Sequence, residues 1–332
     1  MRALIPVCVL MVRASGLGLA SPKHVPEPLM RATTPREGYI NVASGVTLWY
    51  EVHGRGRDTV IVPFASWMAP LLEPLDSGRT VIYYDMRSRG KSSAVTDTAL
   101  LGIDFEVQDL EAVRAFFHAD RPAVIGFSYL GAISALYAAR HPDHVSRLIL
   151  ISPLSPKAAT AGAAMRAAVT RLDTGKVRAL NEALRANPQS RGPRELCRQF
   201  WDTMLPLYLG TSGDARGATA AVRATCDQPN ESPDRFQATL QTIFTRAGDW
   251  NWSAEAGAIR ARTLVIQGDA DLVAPAASGR EWAAAIPGAR LLTVHGGGHL
   301  ALAESSALIL GAVGSFLNGQ WPEAAHPVTP SG

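Results

Sequence analysis

The chain has 332 residues, of which 47% are hydrophobic and 18% charged, as in a globular protein with one large core or a core carrying an inserted subdomain. Its 32 basic and 29 acidic residues leave a formal net charge of +3, and the basic residues are scattered. This balance gives no electrostatic reason to expect a nucleic-acid partner.

The first 20 residues have the pattern of an export signal. Arg2 supplies a positive start, residues 3–12 form an apolar run, and small residues around Gly18 and Ala20 suit a cleavage site. Residues 1–20 are therefore predicted to be a signal peptide of a periplasmic or secreted protein; without a signal the protein would be cytoplasmic. The run is too short to cross a bilayer, and no other segment is long and apolar enough, so no stable membrane insertion is expected.

Two of the three cysteines, Cys197 and Cys226, would remain after this signal is removed. An exported protein with one disulfide has an even number of cysteines, but two unpaired, half-buried thiols fit the sequence equally well. Neither cysteine lies in a C-x-x-C motif or a Cys/His cluster, so no metal site is predicted.

Strand and helix patterns alternate through the first half of the chain. After an irregular lead-in at 21–38, two β-rich runs at 39–42 and 46–52 flank Ser44 and Gly45, which is a hairpin signal. Short apolar runs predict buried parallel strands, and apolar residues spaced three or four apart predict amphipathic helices. The strands are predicted at 59–62, 80–85, 123–126 and 145–151, and the helices at 103–117 and 129–140.

The alternation is interrupted by a mainly helical region at 154–255, which is interpreted as a cap inserted after the sixth strand. It resumes with strands at 263–267 and 290–294 and helices at 277–285 and 303–317. The fold class is therefore α/β, with a mostly parallel, eight-stranded sheet flanked by helices. Residues 21–153 and 256–319 form its core, and the proline-containing tail 320–332 is expected to be loosely ordered.

Ser128 lies between the strand at 123–126 and the following helix, where a tight turn exposes a side chain at the carboxyl edge of the sheet. The N–H groups at the start of the helix stabilise a developing oxyanion. Gly126 supplies the small residue that such a strained turn needs, although Leu130 stands where glycine is usual. This arrangement favours Ser128 as a nucleophile over an ordinary helix-capping serine.

A serine nucleophile needs a histidine base and a carboxylate that orients the base. Of the eight histidines, His299 follows a triple-glycine loop and directly precedes a helix, whereas His295 ends a strand and is expected to pack locally. Asp271 follows the strand at 263–267 and is the predicted acid, with Asp269 as its rival and alternative loop cap.

Four motifs carry a resemblance to a known family: GFSYLG around Ser128, YYDMRSRGKS at 83–92, GDADLVAP at 268–275 and GGGH at 296–299. Over residues 39–318 the chain resembles α/β-hydrolase-fold enzymes of the proline-iminopeptidase-like branch, which carry a helical cap. The resemblance implies an acyl-enzyme mechanism on a small-molecule ester or peptide, with no metal or organic cofactor. It leaves the oligomeric state open.

The sequence departs from this family at the oxyanion loop. Family members usually have His-Gly-Gly or His-Gly-x after the third strand, but this chain has VPFASW at 62–67. Matching the two stretches makes the backbone N–H of Ala65 the expected oxyanion donor, with Phe64 as the fallback and Tyr129 N–H as the second donor. The motif at 83–92 is expected to brace this loop.

The substrate is less defined than the chemistry. An aminopeptidase of the proline-iminopeptidase type would bind a free amine with cap carboxylates, for which the candidates are Glu182, Glu195, Asp202, Asp214 and Asp227. An esterase would instead need an apolar acyl pocket, for which the candidates are Phe64, Trp67, Trp201, Tyr208 and either Trp250 or Trp252. We therefore expect a serine hydrolase of esters or amides, with an aminopeptidase as the alternative. An acyltransferase and an inactive binding protein are further alternatives.

Overall fold

A computed structural model describes residues 36–185, 193–227 and 233–329. The predicted signal at 1–20 lies outside these ranges. The strands are β1 (Glu37–Asn41), β2 (Thr47–Gly54), β3 (Thr59–Pro63), β4 (Thr80–Tyr84), β5 (Ala123–Phe127), β6 (Arg147–Ile151), β7 (Arg262–Gly268), β8 (Arg290–Val294) and β9 (Ala325–Pro327). The helices are α1 (Ala65–Leu72), α2 (Ile103–Phe116), α3 (Tyr129–Arg140), α4 (Ala158–Val169), α5 (Thr174–Arg185), α6 (Pro193–Tyr208), α7 (Ala215–Thr225), α8 (Pro233–Ala247), α9 (Ser253–Ala256), α10 (Ala276–Ala285), α11 (Ala301–Glu304) and α12 (Ser306–Leu317).

The strands form a single sheet in the order β1-β2-β4-β3-β5-β6-β7-β8-β9. Neighbours from β4 to β8 pair in parallel, and the pairs β1–β2, β2–β4 and β8–β9 are antiparallel. Phe127 lies opposite Ile151, and Ile151 lies opposite Ile266. This register brings the carboxyl ends of β5, β6 and β7 to one edge of the sheet, so the loops that follow them are neighbours.

Helices cover both faces of the sheet, as the alternating sequence pattern predicts. Since successive side chains of a strand point to opposite faces, Ile61 belongs to the core cluster that includes residues of α2, α3 and α10. Val60 and Val62 belong to the cluster that includes residues of α1 and α12. The strands are therefore apolar on both sides, which is why they appear in the sequence as continuous hydrophobic runs.

The eight predicted strands are present, but the expectation of a loosely ordered tail from residue 320 is wrong for the part that the structure describes. Residues Ala325–Pro327 add a ninth strand beside β8. Ala325 is buried, and the ring of Trp321 lies against the guanidinium groups of Arg262 and Arg290. These contacts anchor a segment whose prolines had indicated an irregular chain.

Between β6 and β7 the residues that the structure describes form helices α4 to α9, in the region interpreted as a cap. A disulfide joins Cys197 in α6 to Cys226 at the end of α7, which answers the question that the cysteine count left open. Both cysteines are buried. In the described parts of the chain, no helix has the length and apolar character needed to cross a membrane.

Candidate active site

Ser128 occupies a strained turn between β5 and α3. Its backbone has φ 57° and ψ −129°, a combination that costs a non-glycine residue roughly 1–3 kcal/mol. Neighbouring backbone groups hold this conformation: the N–H of Ser128 donates to Ile151 O at 3.0 Å, and its carbonyl accepts from Gly131 and Leu154 N–H at 2.9 and 3.0 Å. The turn leaves the Ser128 side chain half-buried at the carboxyl edge of the sheet.

This turn requires a glycine at position 126. A Cβ there would lie 2.5 Å from Leu130 O and 2.8 Å from the Cα of Gly131, so no larger residue fits. Leu130 itself is buried in the core beneath α3. The departure from the usual glycine at position 130 is therefore accommodated, because the Leu130 side chain has its own place in the packing.

The structure brings together the three side chains that the sequence singled out. Ser128 Oγ lies 2.9 Å from His299 Nε2, and His299 Nδ1 lies 2.9 Å from Asp271 Oδ2. Asp271 and His299 are both buried. The three residues follow β5, β7 and β8, so their convergence results from the parallel alignment of these strands.

Asp271 is held from several directions. Its Oδ1 accepts the backbone N–H groups of Val273 and Ala274, each at 2.8 Å, and its Oδ2 accepts Gln267 Nε2 at 3.1 Å. A buried carboxylate needs such partners to remain charged. The loop after β7 therefore fixes the carboxylate that contacts His299 Nδ1.

The rival acid and the rival histidine form a separate pair on the surface. Asp269 accepts His295 Nδ1 at 2.9 Å and Gly296 N–H at 2.7 Å. These hydrogen bonds, with His295 first, lower the pKa of Asp269. The His295 side chain is 89% exposed, so this pair caps the loop, as the alternative interpretation of Asp269 proposed.

The loop after β3 distinguishes between the two candidate oxyanion donors. Phe64 adopts a left-handed conformation (φ 75°), and its N–H donates to Tyr84 O at 2.8 Å. Ala65 is the first residue of α1, and its N–H has no hydrogen-bond acceptor within the described residues. Tyr129 is likewise the first residue of α3. The geometry therefore favours Ala65 over Phe64, because helix-start N–H groups point away from the helix.

The turn at 85–92 braces this loop through Asp85. Its Oδ1 accepts the N–H of Ser66 at 3.2 Å, and its Oδ2 accepts the N–H of Lys91 at 3.0 Å. Gly90 is required because a Cβ there would lie 2.0 Å from Asp85 Oδ2. The motif thus supports the start of α1 without contacting Ser128 or His299 through a described hydrogen bond.

A largely apolar cavity of about 100 Å³ lies beside Ser128 and His299. Four of the side chains predicted for a substrate pocket line it: Phe64, Trp67, Trp201 and Tyr208. The cavity also has walls that the sequence does not predict as pocket residues, namely Arg89, Phe127, Leu130, Cys197, Phe200, Val222, Thr225 and Leu300. Helical periodicity predicts that Phe200 and Val222 face inward, but it does not say which cavity they face.

A profile described as the alpha/beta hydrolase fold matches residues 52–306, which is well over half of the chain. The chain belongs to the α/β-hydrolase fold family. The family predicted from the motifs is thereby confirmed, and so is the fold class.

Relatives and solved structures agree with this membership. The chain is 30% identical over 128 residues to a proline iminopeptidase of Saccharolobus solfataricus (36% of this chain, 41% of the relative). It is 31% identical over 128 residues to a bifunctional esterase/perhydrolase of Acinetobacter calcoaceticus (36% of this chain, 45% of the relative). Both matches span less than half of the relative's length. A bromoperoxidase structure from Bacillus anthracis aligns with a TM-score of 0.65 at 19% identity, over 85% of this chain and 99% of that one, and it shows the shared fold.

The candidate amine-binding carboxylates of the cap do not reach the cavity of this α/β hydrolase. Glu182 and Glu195 are exposed on the cap surface, and Asp202, Asp214 and Asp227 are bound locally by Arg223, by the Gly217 N–H and by Arg194. None of these five lines the cavity. Trp250 and Trp252 stack on each other outside it, and Trp252 packs with the core.

The imidazole of His299 contacts two aromatic rings. The ring of Phe127, at the end of β5, is 5.2 Å away between centroids, and the ring of Tyr208, at the end of α6, is 5.3 Å away. Burial, followed by the charge of Asp271, raises the pKa of Tyr208 to about 12, so its hydroxyl stays protonated at neutral pH. The cap therefore contacts the same imidazole that bonds Ser128 and Asp271.

Proposed function

We propose that this protein is a serine hydrolase that cleaves carboxylic esters or amides through an acyl-enzyme on Ser128. The observation that carries the proposal is the continuous contact from Ser128 Oγ through His299 to the buried Asp271, at the mouth of an apolar cavity. This constellation is recognised by its geometry and by the roles of its members, and the family membership agrees with it.

In the proposed acylation, His299 Nε2 takes the proton of Ser128 as Oγ attacks the substrate carbonyl. Asp271 remains ionised, keeps the proton on Nδ1 and stabilises the imidazolium that forms. The oxyanion is stabilised by the N–H groups of Tyr129 and Ala65, at the starts of α3 and α1. His299 then protonates the leaving group, the carbonyl–heteroatom bond breaks, and the acyl group remains on Ser128.

Deacylation repeats these roles with water. His299 takes a proton from a water molecule that attacks the acyl carbonyl, and Ser128 leaves with that proton restored. The products are a carboxylic acid and an alcohol or amine. Side chains supply the nucleophile and the base, and the backbone N–H groups of Ala65 and Tyr129 supply the oxyanion donors. None of these steps uses a cofactor.

The cavity lining favours esters of apolar acids over peptides with a free amine. Besides the side chains of the proposed triad, the lining is mainly aromatic and aliphatic. It includes Thr225 and the cationic Arg89 but no carboxylate among the described residues. Recognition of a free ammonium group inside a cavity requires a paired charge, because an unpaired buried charge is costly. The similarity to proline iminopeptidases keeps the aminopeptidase as the alternative.

A paired assay tests the chemistry and the substrate class together. The protein is expected to hydrolyse p-nitrophenyl esters of short apolar acids and to leave proline-naphthylamide intact. A fluorophosphonate is expected to label wild-type protein but not Ser128→Ala, whose ester hydrolysis should fall by about 10⁴-fold or more. Equal labelling of both proteins would refute the role of Ser128, and hydrolysis of the naphthylamide alone would favour the aminopeptidase.

We also propose that the protein is exported. The predicted signal at 1–20 supports this, and so does the Cys197–Cys226 disulfide, because disulfides persist in oxidising compartments. Fractionation of expressing cells and N-terminal sequencing of the mature protein test the proposal; a protein that retains residues 1–20 in the cytoplasm would contradict it.

A further inference from the structure

Glu304 connects the cap to the loop that carries His299. Its Oε1 accepts the N–H of Gly210 at 2.6 Å, and its Oε2 accepts the N–H of Gly298 at 2.8 Å. Gly210 lies two residues beyond the end of α6, and Gly298 directly precedes His299. The carboxylate is buried, so these two charge-assisted hydrogen bonds are the partners that it needs.

The two segments joined by Glu304 are also in direct backbone contact. Leu300 N–H donates to Tyr208 O at 3.1 Å, and Thr211 N–H donates to Gly296 O at 2.7 Å. A Cβ on Gly298 would lie 2.3 Å from Gly210 N and 2.4 Å from Tyr208 O, so the chains approach as closely as glycine permits. The end of α6 and the loop at 295–300, which we call the histidine loop, therefore form one packed unit.

This unit determines what surrounds the imidazole. Both nitrogens of His299 are bonded, to Ser128 and to Asp271, and the imidazole contacts the rings of Phe127 of the sheet and Tyr208 of the cap. A shift of α6 away from the histidine loop would remove the Tyr208 ring from His299 and would displace the backbone on both sides of His299.

We propose that Glu304 is a positioning residue that fixes His299 by holding the end of α6 against the histidine loop. The inference rests on the proposed role of His299 as the base. It means that α6, which provides Trp201 and Tyr208 to the substrate cavity, is mechanically joined to the group that transfers protons.

The test is Glu304→Gln, which keeps the shape of the side chain but replaces one acceptor oxygen with an NH₂ donor. One of the two backbone N–H groups then faces a donor, and one of the two hydrogen bonds of residue 304 is lost. Since a misplacement of about 1 Å costs roughly 10²-fold in rate, we expect kcat per titrated active site to fall about 10- to 100-fold. The second-order rate of inactivation by a fluorophosphonate should fall equally, while KM for a p-nitrophenyl ester changes by less than about 3-fold.

Glu281→Gln is the matched control. The carboxylate of Glu281 also joins the core to the cap, because it accepts Ser155 Oγ at 2.6 Å and, from α4, Thr160 Oγ1 at 2.8 Å. It lies outside the described lining of the cavity. Its loss is expected to lower the unfolding temperature but to leave kcat and the inactivation rate as in wild type.

Tyr208→Leu gives a second route to the same readout, because it removes the ring beside His299 and leaves the bonds of Glu304 in place. Both single variants should lower kcat, and the double variant should be no slower than the slower single one. Wild-type kcat in folded Glu304→Gln, or an equal loss in Glu281→Gln, would overturn the positioning role. If Ser128→Ala also kept full activity, the proposed function itself would fail; loss of activity in Ser128→Ala alone would confine the failure to Glu304.

Discussion

The carboxyl edge of the sheet and the cap wall, which is formed by α6 and α7, line the same cavity. They are held in place in different ways. Ser128, Asp271 and His299 follow three parallel strands, and backbone ladders fix the distances between them. The cap wall is joined internally by the Cys197–Cys226 disulfide, and it is held against the core by side chains and by the hydrogen bonds of Glu304. The geometry of the proposed chemistry is therefore fixed by the fold, whereas the wall proposed to contact the substrate depends on a few individual bonds.

The largest effect is expected at the sheet edge, from Asp271→Asn. An amide cannot accept all the N–H groups that Asp271 binds and still hold the proton on His299 Nδ1, so the wrong imidazole tautomer is favoured. We expect kcat for a p-nitrophenyl ester to fall about 10³- to 10⁴-fold with little change in KM.

The matched control is Asp269→Asn, two residues away on the same loop. Asp269 bonds His295 and Gly296 on the surface, so this variant should keep kcat within about 3-fold of wild type. Comparable losses in the two variants would contradict the assignment of Asp271 and would require both carboxylates to act on the reaction.

The sheet edge could be predicted from sequence because its signals are local. Ser128, Asp271 and His299 each stand just after an apolar run and beside glycines, and parallel strands must bring such positions to one edge. The ninth strand could not be predicted in this way, since Ala325 pairs through its backbone in a proline-containing segment.

The cap wall was less predictable because its contacts join residues that are distant in sequence. Glu304 accepts a hydrogen bond from Gly210, which is 94 residues away in the sequence. No local sequence pattern predicts that a side chain accepts such a remote backbone N–H group. The pairing of Cys197 with Cys226 likewise depends on the spacing of α6 and α7. The sequence predicts Trp201 and Tyr208 as candidates for an apolar acyl pocket, but it does not predict that Tyr208 also contacts His299.

A second prediction concerns the stability of the core, which can be measured separately from enzymatic activity. Burial, followed by the charge of Asp109, raises the pKa of Glu106 in α2 to about 8, and Arg87 and Arg89 lower it by less. An unfolded chain releases this proton near its ordinary pKa of 4.5. The native state therefore holds more protons between these values, and its stability falls as pH rises, by at most about 1.4 kcal/mol per pH unit.

Glu106→Gln cannot titrate, so its stability relative to wild type should increase between pH 5 and 8, by on the order of a few kcal/mol. Urea unfolding at the two pH values measures this, and a constant difference between the proteins would contradict it. The KM for esters should not change.

Glu111→Gln on the same helix should behave in the opposite sense. Burial raises the pKa of Glu111, but hydrogen bonds from Arg114, Tyr137 and His144 outweigh it and hold the pKa at about 2. Its stabilisation is present above pH 4.5 and is lost as the pH falls toward 2, so this variant should be less stable than wild type at neutral pH. The deficit should shrink in acid.

The third prediction concerns the disulfide that joins the two helices of the cap wall. Replacing Cys197 and Cys226 with alanine releases a loop closed over 29 residues, which costs about 3 kcal/mol. Because Cys197 lines the cavity and the disulfide joins both wall helices, KM for esters should rise about 10-fold. Wild-type protein treated with a reductant should show the same change, and an unchanged KM in both would mean that the wall holds without this bond.

The smallest effect is expected at Asp214. It tests whether the carboxylate of this residue caps a helix or contacts the substrate. Asp214 caps α7 by accepting Gly217 N–H at 2.9 Å, so Asp214→Ala should lose about 1 kcal/mol of unfolding free energy. Asparagine also caps helices, so Asp214→Asn should keep most of this stability while it removes the charge. If the carboxylate bound a substrate amine, Asp214→Asn would raise KM for amine-bearing substrates without affecting stability. An unchanged KM in both variants would mean that Asp214 only caps α7, because the loss of a charge that contacts the substrate must change binding.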